Sequence, residues 1–218
     1  MNRPIQIING RSYFSTYAMF EGKDGKPTGG WLISSDDFQS RYSTVEIDGH
    51  KPITEAPFMF ALEGTPRPDS TLSAAAYIRY VMKGEPIPQP SYTFASVSDA
   101  IDSFVAFDGS FASQKDMSDF LACWVMSTYA TPAFDTVGYI WPNAERGAGK
   151  TQCLKTLTAL SFMGQSITSS SSFPSIRDEA AMGATVGFDD CENLRQMDPQ
   201  KRELLLAGNT RGSGFMLK

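Results

Sequence analysis

Hydrophobic and polar positions alternate along the first sixty residues as they do in short β-strands. An aromatic-rich run at residues 13–20 and a second apolar run at 29–33 flank a stretch of glycine, aspartate and proline at 22–27. This pattern predicts a hairpin, and Val45 to Ile53 predicts a second, weaker one across Asp48-Gly49. The aromatic side chains could stack on nucleic-acid bases, but in a small sheet aromatics more often form the core.

Helical spacing follows, first at residues 72–82, where Ser70 or Thr71 could cap the helix. The proline-rich segment 84–90 ends this pattern, and we interpret it as a linker and domain boundary.

Two amphipathic helices are predicted beyond the linker, one capped by Ser96 or Ser98 and the other by Ser113. We expect their apolar stripes to pack against a central sheet. The stripe residues are Val97, Ile101, Phe104 and Val105, then Met117, Phe120, Leu121, Trp124, Val125 and Met126.

Strand and helix patterns alternate in the remainder of the chain. A short apolar run at 137–141 predicts a buried strand, and residues 153–162 have mostly helical spacing. A strand, a helix, a strand and a helix are then predicted at 166–168, 173–182, 184–190 and 198–208. This order is typical of an α/β domain with a parallel sheet.

Composition excludes some classes of function without selecting one. Of the 218 residues, 41% are hydrophobic and 20% are charged, which is ordinary for a protein with a core. A net charge of −5 provides no overall attraction to nucleic acid or anionic membrane. With neither a secretory signal nor a run of ~20 apolar residues in the sequence, we expect a cytoplasmic protein that does not span a membrane. The 3 cysteines lack zinc spacing, and the single histidine, His50, excludes His-rich metal sites.

Residues 144–151 match the phosphate-binding loop pattern A-x-x-x-x-G-K-T, with alanine at the first glycine position. Gly147 and Gly149 allow backbone N–H groups to curl around phosphate oxygens, because glycine tolerates positive φ. The loop precedes a helix, and the N-terminal end of a helix attracts anions. A chance turn is the alternative, but the predicted strand and helix on either side favour nucleotide binding.

Within this loop, Lys150 is expected to reach the β- and γ-phosphates of ATP, and the Thr151 hydroxyl is expected to ligate Mg²⁺. The predicted nucleotide-binding residues are Ala144, Gly147, Ala148, Gly149, Lys150, Thr151 and Gln152.

Two carboxylates, Asp189 and Asp190, end the apolar strand predicted at 184–190, as in a Walker B motif. Asp189 is placed to hold Mg²⁺. Asp190 is at the position where enzymes with a Walker B motif usually have a glutamate that activates water. The pair could instead be solvated turn residues, an alternative that the upstream loop disfavours. The interval from Lys150 has room for one helix, one strand and one further helix.

From about residue 94 onward, the chain resembles the ATPase domain of replication proteins encoded by phages, plasmids and mobile elements. These are AAA+-like P-loop ATPases close to superfamily 3 helicases, often fused to primase-type modules. The loop, the acidic strand and the short interval between them carry the resemblance. The matching segments are 116–129, 139–141 leading into 144–151, 172–177, 187–192 and 208–218.

The resemblance implies an α/β P-loop NTPase domain with a parallel sheet flanked by helices, preceded by a small β-rich region. Residues 1–90 are the expected N-terminal region and linker. Residues 91–218 are the expected ATPase domain, with a helical lead-in at 94–130 and a nucleotide-binding core at 137–218. Such a sheet usually has further strands, so we expect the C-terminal part of this domain, with its sensor and arginine-finger residues, to be missing.

The resemblance also implies roles for individual residues. Lys150 and Asp190 would be catalytic, and Asp189 would serve the metal. Aspartate at position 190 replaces the usual glutamate and withdraws the carboxylate by about 1.5 Å, a misplacement that can cost about 100-fold in rate. Glu192 is the alternative base.

In helicases of this kind, a basic residue after the Walker B region contacts single-stranded DNA. Arg211 and Lys218 are the candidates here. The predicted function is therefore an ATP-binding and ATP-hydrolysing motor domain of a DNA replication protein. It would use Mg²⁺, act on single-stranded or duplex DNA, and assemble as a ring-shaped homo-oligomer.

Two alternatives stay open: a P-loop ATPase that acts as a nucleotide-dependent switch, and a non-catalytic nucleotide-binding fragment. Hydrolysis stimulated by DNA distinguishes the motor from the switch. Magnesium-dependent turnover excludes the non-catalytic fragment. A small-molecule kinase is disfavoured, because no arginine-rich lid segment is evident.

Overall fold

A computed structural model describes residues 5–21, 25–60, 62, 74–168, 171–189 and 198–208. The chain is α/β, with a mixed sheet and helices. It divides into two compact units, Met1–Ile87 and Pro88–Lys218. None of the helices in the described ranges combines the length and apolar character needed to cross a membrane.

The first unit is built on a five-stranded sheet. Its strands are β1 Ile5–Ile8, β2 Arg11–Glu21, β3 Pro27–Ser35, β4 Arg41–Ser43 and β5 Lys51–Pro52. They lie in sequence order across the sheet. The antiparallel pair β2–β3, in which Tyr13 lies opposite Ser35, confirms the first predicted hairpin.

The second predicted hairpin is wrong, because β4 and β5 run parallel. After β4 the chain is held by Thr44, whose hydroxyl accepts a hydrogen bond from the Trp31 backbone N–H at 2.9 Å. Ile47 then packs against the cluster around Leu32 and Tyr77 instead of extending a strand. Packing of this half-buried isoleucine against the cluster therefore outweighs the local strand pattern.

Both faces of this sheet are covered, because successive residues of a strand point to opposite sides. Ile33 packs with Tyr13, Tyr42 and Phe60, all buried, and this confirms the core interpretation for these aromatics. The Tyr13 and Phe60 rings meet edge to face with their centroids 5.4 Å apart.

Leu32 faces the other side, where it packs with Tyr77 and Val81. These two residues belong to α1, Ala74–Tyr77, and to the π-helical turn Ile78–Met82 that continues it. A single regular helix over 72–82 was expected. Its candidate caps, Ser70 and Thr71, lie outside the described residues.

The second unit contains five helices of eight residues or more and two strands in its described ranges. They are α2 Pro90–Phe104, α3 Gln114–Tyr129, α4 Lys150–Leu160, β6 Gln165–Ile167, α5 Phe173–Ala181, β7 Val186–Phe188 and α6 Pro199–Ala207. A 3-10 turn, Thr131–Ala133, follows α3. The strands β6 and β7 are parallel, with Ile167 opposite Phe188.

Side-chain caps set the start of three of these helices. Ser113, Ser172 and Asp198 each accept a hydrogen bond from a backbone N–H of the first helical turn. The predicted starts of α3, α5 and α6 are therefore confirmed.

The start of α2 differs from its prediction at Ser96 or Ser98. The helix begins at Pro90 with Gln89 as its N-cap residue, because proline fits a first turn in which its missing N–H is not needed. Ser98 is instead fully buried within the helix. Its hydroxyl donates a hydrogen bond to Asp119 of α3.

The core of the second unit joins three helices. Its buried residues are Ile101, Val105, Leu121, Ala122, Val125, Cys153 and Leu157. The stripes of α2 and α3 thus pack against α4, and within the described ranges no residue of β6 or β7 belongs to this cluster. Two predicted stripe residues, Phe104 and Phe120, are 63% and 59% exposed.

The strand predicted at 137–141 is wrong for the described structure. Thr136 forms an isolated bridge, and the five residues after it have no regular secondary structure. Side chains hold this segment: Trp124 Nε1 donates to the Gly138 carbonyl at 2.8 Å, and the Tyr139 hydroxyl donates to the Leu205 carbonyl at 2.5 Å. Ile140 packs against the three-helix core.

Candidate functional site

The loop at 144–151 is a turn that leads directly into α4. Gly147 and Gly149 both have φ of 86°, a left-handed conformation that residues with a Cβ rarely adopt. Residues 143–149 are exposed. The glycines thus permit a backbone path that keeps the loop accessible up to the first residue of the helix.

The N-terminus of α4 adds a positive potential to this exposed turn. Gly149 is the N-cap residue, and its carbonyl accepts the N–H of Cys153 at 2.9 Å, which closes the first turn. The first N–H groups of a helix have no partner within the helix, and the helix dipole places positive charge at the same end. The loop and helix together are suited to an anion.

Lys150 places a full positive charge over the same loop. Its Nζ donates a hydrogen bond to the carbonyl of Ala144 at 2.9 Å, so the side chain folds back from the start of α4 to the start of the loop. The residue is half-buried. An ammonium held at this point lies beside any anion that the loop N–H groups bind.

Thr151 and Asp189 meet although they are 38 positions apart in the sequence. Thr151 Oγ1 donates to Asp189 Oδ1 at 3.2 Å. The Asp189 backbone N–H donates to the Ile167 carbonyl at 2.9 Å, which extends the pairing of β6 and β7 by one residue. The carboxylate is therefore held by the end of a strand and the hydroxyl by the start of a helix.

The donor atoms of this pair suit magnesium. Mg²⁺ prefers oxygen ligands and is usually held by one or two protein groups together with phosphate oxygens and waters. A hydroxyl and a carboxylate beside a loop suited to an anion match that preference. No group of three or more His, Cys, Asp and Glu side chains suited to a metal occurs in the part of the chain that the structure describes.

The C-terminal end of α3 contacts the C-terminal end of α4, the helix that follows the loop. Thr128 Oγ1 accepts the Phe162 backbone N–H at 2.9 Å, and the Tyr129 hydroxyl donates to the Leu160 carbonyl at 3.0 Å. The Tyr129 and Phe162 rings pack edge to face at 5.6 Å. Burial also raises the pKa of the Cys153 thiol, which keeps it a neutral core group. The sequence carries no motif that points to Thr128 or Tyr129.

The predicted site residues fall into two groups. The first group lies on the loop and the first turn of α4, and one of its members, Thr151, contacts Asp189; the group is Ala144, Gly147, Ala148, Gly149, Lys150, Thr151 and Gln152. The candidate catalytic residues Asp190 and Glu192 and the candidate DNA-contacting residues Arg211 and Lys218 lie outside the described residues.

Gly187 is a site residue that sequence reasoning missed. A Cβ at this position would lie 2.4 Å from Thr158 Cγ2 and 2.9 Å from Leu154 Cδ1, so only glycine permits this approach of β7 to α4. The one available signal was a glycine inside a predicted strand, which often marks a close approach of backbone.

Comparisons with family models, with curated proteins and with solved structures found no match for this chain.

Proposed function

We propose that the chain binds ATP with Mg²⁺ at residues 144–151 and Asp189. We also propose that its second unit is a P-loop ATPase, the motor domain of a DNA replication or helicase-type protein. The observation that carries the proposal is the 3.2 Å contact between Thr151 Oγ1 and Asp189 Oδ1 at the C-terminal end of the glycine-containing loop. It joins the two halves of a metal-nucleotide site that are distant in sequence.

Each group in the site has a separate task under this proposal. The loop N–H groups and the N-terminus of α4 would bind phosphate oxygens, and Lys150 would neutralise phosphate charge as a point charge. Thr151 and Asp189 would hold Mg²⁺, which when bound neutralises the charge that develops as the terminal phosphoryl group is transferred. The exposure of the loop permits a ligand to enter from solvent.

The binding part of the proposal is tested with Lys150→Ala. Because hydrogen bonds to charged groups contribute about 1.5–3 kcal/mol, the variant should bind a fluorescent ATP analogue with Mg²⁺ roughly tenfold to a hundredfold more weakly. Lys155→Ala is the matched control, since Lys155 is an exposed lysine on the same helix. Equal affinity in both variants and the unmodified chain would exclude this loop as the phosphate site.

The motor part is tested by ATP hydrolysis with and without single-stranded DNA. Faster hydrolysis with DNA, lost in Lys150→Ala, is the expected result. An equal rate of ATP hydrolysis with and without DNA, together with a change of oligomeric state on binding ATP, would favour a nucleotide-dependent switch. Binding without Mg²⁺-dependent turnover would leave a non-catalytic nucleotide-binding module.

A further inference from the structure

We infer that Gly187 is the positioning residue that sets the distance between the two metal-binding groups, Thr151 and Asp189. This inference rests on the proposed function of the same site. It concerns a residue of β7 that offers no side chain to any ligand.

The geometry follows from two periodicities. Residues 187 and 189 are two apart, so they point to the same side of an extended chain. On α4, Thr151, Leu154 and Thr158 follow the spacing i, i+3, i+7, so they share one face of the helix. The structure brings these two faces together: Thr151 contacts Asp189, and Leu154 and Thr158 lie over Gly187.

At Gly187 the two faces approach too closely to leave room for a Cβ. The glycine is buried, and a Cβ added to it would lie 2.4 Å from Thr158 Cγ2, whereas ordinary contact begins at 3.4 Å. Relieving the overlap would need a separation of about 1 Å (3.4 minus 2.4). A comparable movement at Asp189 takes the 3.2 Å contact with Thr151 beyond hydrogen-bond range.

Rotation of the Thr158 side chain cannot relieve this overlap. Its hydroxyl donates to the carbonyls of Leu154 at 2.9 Å and Lys155 at 3.1 Å, which holds the methyl group toward β7. Threonine is also stiff at χ1 because it is branched at Cβ. The methyl of Thr158 and the missing Cβ of Gly187 are therefore complementary.

The test separates metal coupling from phosphate binding. Affinity for a fluorescent ADP or ATP analogue is measured in EDTA and in Mg²⁺, and the ratio of the two is the metal coupling. Gly187→Ala should leave the EDTA affinity unchanged, because the loop is intact. It should reduce the metal coupling by about tenfold or more, as changes behind a metal ligand typically do.

Two further variants make the test specific. Gly138→Ala is the matched control, because a Cβ there meets open space and the residue has no positive φ. It should retain full coupling. Thr158→Ser removes the obstructing methyl but keeps the hydroxyl. The remaining overlap, 2.9 Å to Leu154 Cδ1, is with the end of a flexible side chain that can shift, so Gly187→Ala/Thr158→Ser should recover the coupling.

Each result decides the question. Full coupling in Gly187→Ala, or a double variant that fails to recover it, overturns the inference while the proposed function stands. Should Gly187→Ala give no cooperative thermal transition, the decision falls to the double variant, which must both fold and couple. If the unmodified chain binds no nucleotide in either condition, the proposed function fails and the inference fails with it.

Discussion

Thr151 allows the hydroxyl and the shape of one side chain to be tested separately. Thr151→Ser keeps the oxygen that lies 3.2 Å from Asp189, whereas Thr151→Val keeps the branched shape without it. We expect the serine variant to retain Mg²⁺-dependent nucleotide binding and the valine variant to lose about tenfold or more of it. Titration of a nucleotide analogue in Mg²⁺ and in EDTA measures this. Equal Mg²⁺ dependence in both variants would exclude the hydroxyl as a ligand.

His50 has a different role, in the first unit. Its Nε2 lies 2.9 Å from the hydroxyl of buried Tyr77, and its Nδ1 lies 3.3 Å from the Asp48 carbonyl. A neutral ring with its proton on Nδ1 satisfies both contacts, with Tyr77 donating to Nε2. Burial, and then the charge of Arg41, lower the pKa of His50, while the Asp48 carbonyl opposes them.

A pH dependence of stability follows from this lowered pKa. Below the ordinary value of about 6.5, the unfolded chain binds a proton that folded His50 resists, so the free energy of unfolding falls as pH decreases. The loss is complete once pH is below the lowered folded-state pKa. His50→Gln, which still presents a polar group to Tyr77, should flatten the fall in stability that begins near pH 6.5 in denaturant titrations. An unchanged slope in the variant would assign the dependence to other groups.

At the scale of single elements, hydrogen bonds between neighbouring residues account for the helix starts that the sequence predicts correctly. The caps at Ser113 and Asp198 act within three residues of the helix start, so their sequence context is sufficient to identify them. The predictions of the second hairpin and of the strand at 137–141 are wrong because local sequence does not determine the conformation of these segments. In each, contacts with residues distant in sequence determine the conformation: Ile47 packs against the cluster that contains Leu32 and Tyr77, and Trp124 donates a hydrogen bond to the Gly138 carbonyl.

The cap of α3 provides a prediction about stability. Ser113 Oγ accepts the Asp116 backbone N–H at 3.1 Å and donates to its carboxylate at 2.6 Å. Ser113→Ala should lower the free energy of unfolding of the second unit by about 1 kcal/mol. Ser103→Ala is the control, because Ser103 lies within the last turn of α2 and its hydroxyl donates to a carbonyl of its own helix, that of Asp99. A loss in the control as large as that in Ser113→Ala would contradict a capping role.

At the scale of the whole molecule, the two compact units have separate cores. The clusters around Ile33 and Leu32 belong to the first unit, and the three-helix cluster around Leu121 and Leu157 belongs to the second. A unit with its own core can fold alone. The candidate site draws all its described groups from the second unit, between Ala144 and Asp189.

Separate expression of residues 1–87 and 88–218 tests this division. The second fragment should bind the nucleotide analogue with the affinity of the full chain and should gain thermal stability from it. The first fragment should keep the pH dependence attributed to His50 and should not respond to nucleotide. Nucleotide binding that requires both fragments together would contradict the assignment of the site to one unit.

The sequence alone determined the features that depend on neighbours along the chain. These are the first hairpin, the capped helices, and the loop with Lys150 and Thr151 at the start of α4, because turns, caps and phosphate loops are local arrangements of backbone and side chain. Only the tertiary structure decided what distant segments do to one another. It set the parallel pairing of β6 with β7, the approach of Gly187 to Thr158, and the contact of Thr151 with Asp189. Each of these depends on packing between residues far apart in sequence, which no local pattern encodes.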